Sequence, residues 1–354
     1  MRDPGVTLRA LEALPSALLH VDARALRDVL AGPTLLHLPG RRPEPLFVSV
    51  LLHGNETSGL RAIQQVLAEH AGRELPRALS IFFGNVEAAA AGVRRLDTQP
   101  DYNRVWPGGM LPDDDPHARA VQGVFGEVLE TMRRREVFAS IDLHNTTGHN
   151  PYYCCVTELD VPHLQLASLF SRTVVHFRRP EGTQTSAFSR LCPSVACECG
   201  QASDPQGAAR AAEFISAVLH LAEIPAHPVR SGDVHLFHTV ATVRLRDGVS
   251  FSFDGSPAML RLGADLEWFN FRELEAGTLF AHCDQDAPVC LDVRDEKDRD
   301  VAAQFLVRRG GRIELLRGVM PAMLTRDRRA VQQDCLCYFM ERIERATPGS
   351  EASR

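Results

Sequence analysis

"LFVSVLLHGNETSGLRAIQQVLAEHA", residues 46–71, joins a short apolar run to a segment of helical spacing through a turn that carries His53, Gly54, Asn55 and Glu56. The run LFVSVLL (46–52) is continuous and β-prone, as in a strand covered on both faces. Past the turn, Leu60, Ile63, Val66 and Leu67 fall on one helical face, and Thr57 or Ser58 can cap the start. Strand, turn and helix in this order begin an α/β unit, in which ligands bind beyond the carboxyl ends of the strands.

The same alternation continues outward. ALSIFFGN (78–85) and VFASIDLHN (137–145) read as strands, with AVQGVFGEVLETMRRR (120–135) as a helix between them. YYCCVTE, TVVHFRR and SVACECG follow as strands, and AARAAEFISAVLHLAE (208–223) as a helix. The expected fold class is therefore α/β, a largely parallel or mixed sheet flanked by helices. Residues 1 to about 44 read as a lead-in ending in PGRRPEP. At EIPAHPVRSGD (223–233) the pattern changes to short β-like runs with no convincing helix up to about residue 320. The expected division is a catalytic α/β domain over 1–230, a smaller β-rich domain over 231–325, and a C-terminal helix and tail over 326–354. DRRAVQQDCLCYFMERIERA (327–346) reads as the closing helix, and TPGSEASR is expected to fray.

Composition narrows the partners. The 354 residues are 44% hydrophobic and 24% charged, with a formal net charge of -6, so no basic field calls for nucleic acid or an anionic membrane surface. The N-terminal stretch has charges breaking every apolar run, unlike a signal peptide, and no window approaches the roughly 18 apolar residues of a membrane span. The nine cysteines form no CxxC pair and several lie in apolar runs, which suits buried thiols in a reducing cytoplasm.

The chemistry lies at the strand ends. His53, Asn85, His144 and Glu198 all fall at or near the carboxyl ends of expected strands. Catalytic zinc takes about three protein ligands and keeps a position for water. His53 and Glu56, close together, with a distant His144 match that pattern. HxxE alone is equally an ordinary strand-to-helix turn, and DLHN at a second strand end is what favours the metal. Asp142 shares a strand face with His144 and reads either as its supporting carboxylate or as a plain strand-end residue. Glu198, between two cysteines in an apolar run, is a carboxylate in a costly place unless it has work to do.

HGNE, then GNVEAAAAGVRRLD, NR, DLHN and ECG, in this order over residues 45 to about 225, resemble the succinylglutamate desuccinylase/aspartoacylase family, relatives of zinc carboxypeptidases. FNFRELEAGTLFAH (269–282) resembles the β domain of the desuccinylases. The resemblance implies a zinc-carboxypeptidase-like fold and one zinc ion per chain on His53, Glu56 and His144. It implies Glu198 as the proton-transferring carboxylate and Arg94 as the residue that stabilises the oxyanion. Asn103, Arg104 and Asn145 would bind substrate. A further substrate arginine, spaced back from Glu198, falls on Phe188, and aligning on Ala196 and Cys197 moves it to Arg190.

The implied activity is hydrolysis of the amide bond in a small anionic N-acyl amino acid. N-succinylglutamate is the leading substrate and arginine catabolism the expected setting. DLHNTTG resembles instead the aspartoacylase branch, acting on N-acetylaspartate or related acetyl amino acids. A zinc carboxypeptidase and a binding module without turnover are the other readings. A homo-oligomer is compatible with all of them.

Overall fold

The computed structural model describes residues 6–111, 114–230, 232–284 and 289–344. One compact unit runs to Asn145 and resumes over Tyr152–His235. Its strands are β1 (Arg9–Leu11), β2 (Thr34–Leu38), β3 (Gly40–Val50), β4 (Leu75–Phe83), β5 (Ala139–His144), β6 (Tyr153–Val156), β7 (Thr173–His176) and β8 (Ser194–Glu198). Its helices are α1 (Ser58–Glu69), α2 (Val86–Ala91), α3 (Pro116–Arg134), α4 (Val161–Phe170), α5 (Gln184–Phe188) and α6 (Pro205–His220). The strands line up as β1-β2-β4-β3-β5-β8-β6-β7. β4, β3, β5 and β8 are mutually parallel, whereas β2 and β6 run against β4 and β8, so the sheet is mixed with a parallel centre.

The parallel centre explains the sequence. Leu46 through Val50 are wholly buried, which is why the run shows no polar alternation. Its one polar member, Ser49, donates its hydroxyl to Asp142 Oδ1 at 2.6 Å. Four parallel strands also bring their carboxyl ends to one edge. The register sets Val50 beside Phe83, Ser49 beside Asp142 and His144 beside Glu198.

Helix α1 buries Leu60, Ile63, Val66 and Leu67, the face expected from their spacing. Its start differs from expectation, because neither Thr57 nor Ser58 caps it with a side chain. Asn145, at the end of β5, accepts the Ser58 N–H through Oδ1 at 3.1 Å, so a distant strand end satisfies the first turn. The lead-in also holds more structure than expected. β2 pairs antiparallel with β4, and PGRRPEP forms the outer half of β3, with a register shift between Arg42 and Leu46.

The second compact unit takes Thr146–Pro151 and continues from Leu236. It contains β9 (His235–Leu245), β10 (Phe251–Ser252), β11 (Leu260–Arg261), β12 (Leu279–Cys283), β13 (Leu291–Arg294), β14 (Leu306–Arg309), β15 (Arg312–Leu315), β16 (Met320–Ala322) and β17 (Cys337–Arg342). β13 and β17 pair antiparallel with β9, and β16 with β17, while β10-β11-β12-β15-β14 form a five-stranded sheet. Val243 and Phe339 from the first group and Phe280 and Leu315 from the second share one core. Thr146–Pro151 is tied into this unit: Thr147 Oγ1 donates to Thr325 Oγ1 at 2.9 Å, and Met323 N donates to Asn150 Oδ1 at 3.0 Å.

Two expectations are corrected here. The closing helix over 327–346 is instead a short α8 (Arg328–Gln333) followed by β17. Cys337 and Phe339 alternate into the core opposite Val243 and Ala241, and a short apolar run of this kind cannot be told from a buried helix by period alone. The stretch read as free of helix holds, among the described residues, a 3-10 turn over Leu266–Phe269 and one α-helical turn, α7 (Ala302–Phe305). The terminal TPGSEASR, expected to fray, lies outside the described residues. Among the described residues no helix is long and apolar enough to cross a membrane.

The turn after β3 packs directly on α2. A Cβ on Gly54 would lie 2.2 Å from the backbone carbon of Ala88, and Gly54 N donates to Arg94 O at 3.0 Å. Gly54→Ala must therefore push α2 away, and a loss of about 1–3 kcal/mol in unfolding free energy is expected by urea denaturation. Unchanged stability would show that the close approach is not required.

Candidate metal centre

His53 leaves β3, Glu56 precedes α1 and His144 ends β5. The three side chains are buried, and their ligand atoms lie within 4.8 Å of one another. Glu56 stands between the rings, with Oε1 2.8 Å from His53 Nδ1 and Oε2 2.8 Å from His144 Nδ1. The outer ring nitrogens face carboxylates as well: His53 Nε2 is 3.0 Å from Asp101 Oδ1, and His144 Nε2 is 2.6 Å from Asp142 Oδ2. A histidine that gives its outer N–H to a carboxylate turns the lone pair of its inner nitrogen toward a cation. Two inner Nδ1 atoms and one carboxylate, all converging, form a donor set that suits a tetrahedral divalent metal with a position to spare.

The surrounding residues fix this set. Asn145 N donates to Glu56 Oε2 at 3.2 Å, and Asn103 N donates to Asp101 Oδ1 at 2.8 Å. Arg94 grips Asp101 Oδ2 through Nη2 at 3.0 Å and places Nη1 3.7 Å from Glu56 Oε1. Ser49 holds the second oxygen of Asp142.

Charge follows from this packing. Burial works against an ionised Glu56, yet the two histidines outweigh it and hold the carboxyl far below its usual range. Burial likewise opposes Asp101, but Arg94 and then His53 keep it ionised. Burial, and Arg94 for His53, would depress the two imidazoles. The carboxylates of Glu56 and Asp101 raise His53 instead, and those of Asp142 and Glu56 raise His144 well above its ordinary value. Glu198 behaves in the opposite way. It is 8% exposed, its Oε2 is buried without a hydrogen-bond partner, and burial pushes its carboxyl up to about 7.

The other expected residues are distributed unevenly around this centre. Arg94 and Asn103 touch it. Asn103, however, is committed on both ends of its amide: Oδ1 accepts from Gln184 N at 2.8 Å, and Nδ2 donates to Asp142 Oδ2 at 3.4 Å. Arg104 donates from Nη1 to Asn103 O at 2.8 Å. Asn145 is hydrogen-bonded to Ser58 and, through Nδ2 at 2.8 Å, to Gly200 O, and so ties the end of β5 to the start of α1. Arg190 is exposed with its guanidinium beside Gly108, and Phe188 stacks on Phe47 in the core at 4.3 Å. Asp101 is the residue that sequence reasoning missed. Its only signal was its place two residues ahead of Asn103 and three ahead of Arg104.

Residues 45–224 match the family model described as the succinylglutamate desuccinylase/aspartoacylase catalytic domain. The chain belongs to this family. Solved structures of the same fold include the succinylglutamate desuccinylase from Chromobacterium violaceum, at 16% identity and a TM-score of 0.53 over 86% of both chains. The succinylglutamate desuccinylase from Vibrio cholerae gives 13% and 0.55 over 84% of this chain and 81% of that one. The succinylglutamate desuccinylase/aspartoacylase from Rhodobacter sphaeroides gives 14% and 0.54 over 87% and 88%. No curated protein sequence matches the chain.

For this member of the desuccinylase/aspartoacylase family, two outcomes follow from the centre itself. Raised imidazoles mean that a metal must displace protons, so calorimetric zinc titration of the metal-free protein near neutral pH should release protons, and affinity should fall as pH falls. Asp101→Asn should weaken zinc about 10–100-fold in the same titration; unchanged affinity would remove Asp101 from the set that orients His53. Separately, a carboxyl raised on folding contributes stability at low pH that is lost as pH rises through about 7. Metal-free Glu198→Gln should therefore melt higher than the parent at about pH 8, with the gap closing toward about pH 4. A pH-independent gap would show that Glu198 is not raised.

Proposed function

We propose that the chain is a zinc-dependent amidohydrolase that removes the acyl group from an N-acyl acidic amino acid, with N-succinylglutamate the leading substrate. The observation that carries this reading is the orphan carboxyl of Glu198, set in register beside His144 at the edge where the His53, Glu56 and His144 donors converge. Membership of the desuccinylase/aspartoacylase family supports the substrate class.

His53, Glu56 and His144 would hold zinc, which when bound lowers the pKa of a water molecule and polarises the scissile carbonyl. The remaining chemistry belongs to the chain. Glu198, held by burial at about 7, changes protonation state at working pH, and so can accept a proton from the attacking water and return it to the leaving amine. Arg94, pinned by Asp101 beside Glu56, supplies a fixed positive charge for the carbonyl oxygen as it becomes an oxyanion. Arg104 offers a planar fork suited to a carboxylate. Arg190 rests its guanidinium beside Gly108, four residues after Arg104, and would receive the second acid group of such a substrate.

The test is amine release from N-succinylglutamate, N-acetylaspartate, N-acetylglutamate and a dipeptide, before and after chelation and zinc add-back. Zinc-restored turnover of N-succinylglutamate is expected. Glu198→Gln should retain zinc and substrate but lose about 10²–10⁴-fold in kcat. Preference for N-acetylaspartate would move the assignment to the aspartoacylase branch. Turnover of the dipeptide alone, or none with zinc bound, would overturn it.

A further inference from the structure

A cavity of about 750 Å³ opens in the first unit, between the segment leading into β1, the start of α2 and the first turn of α3. None of the metal-centre residues His53, Glu56, His144 and Glu198 lines it. One residue connects the two places. Asp101 and Asn103 turn their side chains toward the histidines, while Tyr102 between them lines the cavity.

Tyr102 is only 3% exposed and lines the cavity. Its ring is held edge-on to Phe125 at 5.5 Å. Burial, and then the charge of Glu87, push its ionisation upward, so the hydroxyl stays a proton donor. A phenol on a cavity wall can donate its hydroxyl proton to what the cavity holds. His117 also lines the cavity, and its Nε2 is buried without a partner. His117 sits in the first turn of α3, whose start Asp115 already caps by accepting the Ala118 N–H. The wall thus carries a carboxylate at Glu87, a guanidinium at Arg9 and a helix start, with apolar Leu8 and Val86 alongside.

We propose that this cavity is a second ligand site, which takes a free α-amino acid with a large apolar side chain. The ammonium meets Glu87; the carboxylate meets Arg9 and accepts from the Tyr102 hydroxyl; the side chain rests on Leu8 and Val86. The volume falls within the roughly 300–1,000 Å³ typical of small-molecule pockets. Two of the three functions required by an amino acid are opposite charges, and both are present on the wall. The site does not depend on acyl-amino acid turnover, so it stands or falls apart from the activity proposed above.

The experiment is calorimetric titration of the full, chelated protein with L-phenylalanine, 3-phenylpropionate, which lacks the ammonium, and phenethylamine, which lacks the carboxylate. L-phenylalanine should bind saturably, and each analogue about tenfold more weakly. Tyr102→Phe and Glu87→Gln should each weaken L-phenylalanine by about tenfold, while His53→Ala leaves its affinity within about twofold. No saturable binding of L-phenylalanine overturns the proposal. So does binding that His53→Ala abolishes and Glu87→Gln leaves intact, which would place the ligand at the metal centre.

Discussion

Two imidazoles turn the same ring nitrogen toward one carboxylate, and the rest of the first unit is arranged so that they can. His53 and His144 reach opposite oxygens of Glu56 at equal distance, and each rests its outer nitrogen on a buried aspartate. Burying so many ionised groups together is unfavourable unless each is paired and hydrogen-bonded. Here the pairing is continuous from Arg94 through Asp101, His53, Glu56 and His144 to Asp142 and Ser49. Glu198 lies next to this chain of partners but outside it, which is why its carboxyl alone is raised while Glu56 and Asp101 are lowered.

Secondary structure supplies the precision. Parallel pairing of β3, β5 and β8 fixes which residues emerge at the same edge, and the turn between β3 and α1 is clamped by the backbone of α2. Asn145 then closes the arrangement. Its backbone N–H holds Glu56, and its side chain holds the first turn of the helix that follows Glu56. The end of one strand and the start of another strand's helix are thus a single hydrogen-bonded object.

How much of this was legible depended on whether a residue's role was local. His53, Glu56, His144 and Glu198 could be placed because a strand's carboxyl end is visible as the end of an apolar run, and their types fit metal and proton chemistry. Asp101 could not, because it lies in a segment without periodicity and its partners come from β3 and from the loop carrying Arg94. Asn145 was visible as a polar residue beside His144, but its work is done on Ser58, and long-range capping leaves no mark on the helix it caps. The same limit applies to β17: Cys337 and Phe339 declare themselves as strand only through Val243 and Ala241 on β9. Of the two positions the resemblance offered for a further arginine, Phe188 fills the core against Phe47 and Arg190 is exposed.

The excursion of Thr146–Pro151 has a consequence for how this protein can be divided. Six residues that directly follow the metal-side strand β5 are packed and hydrogen-bonded as part of the second unit, through Thr325 and Met323. Cutting the chain after His235 would release a first unit whose loop beyond His144 and Asn145 had lost its packing partners. The two units are therefore not contiguous in sequence. A shuffling event that carried residues 1–235 alone into another protein would transfer the ligands without the anchor of the strand that presents one of them.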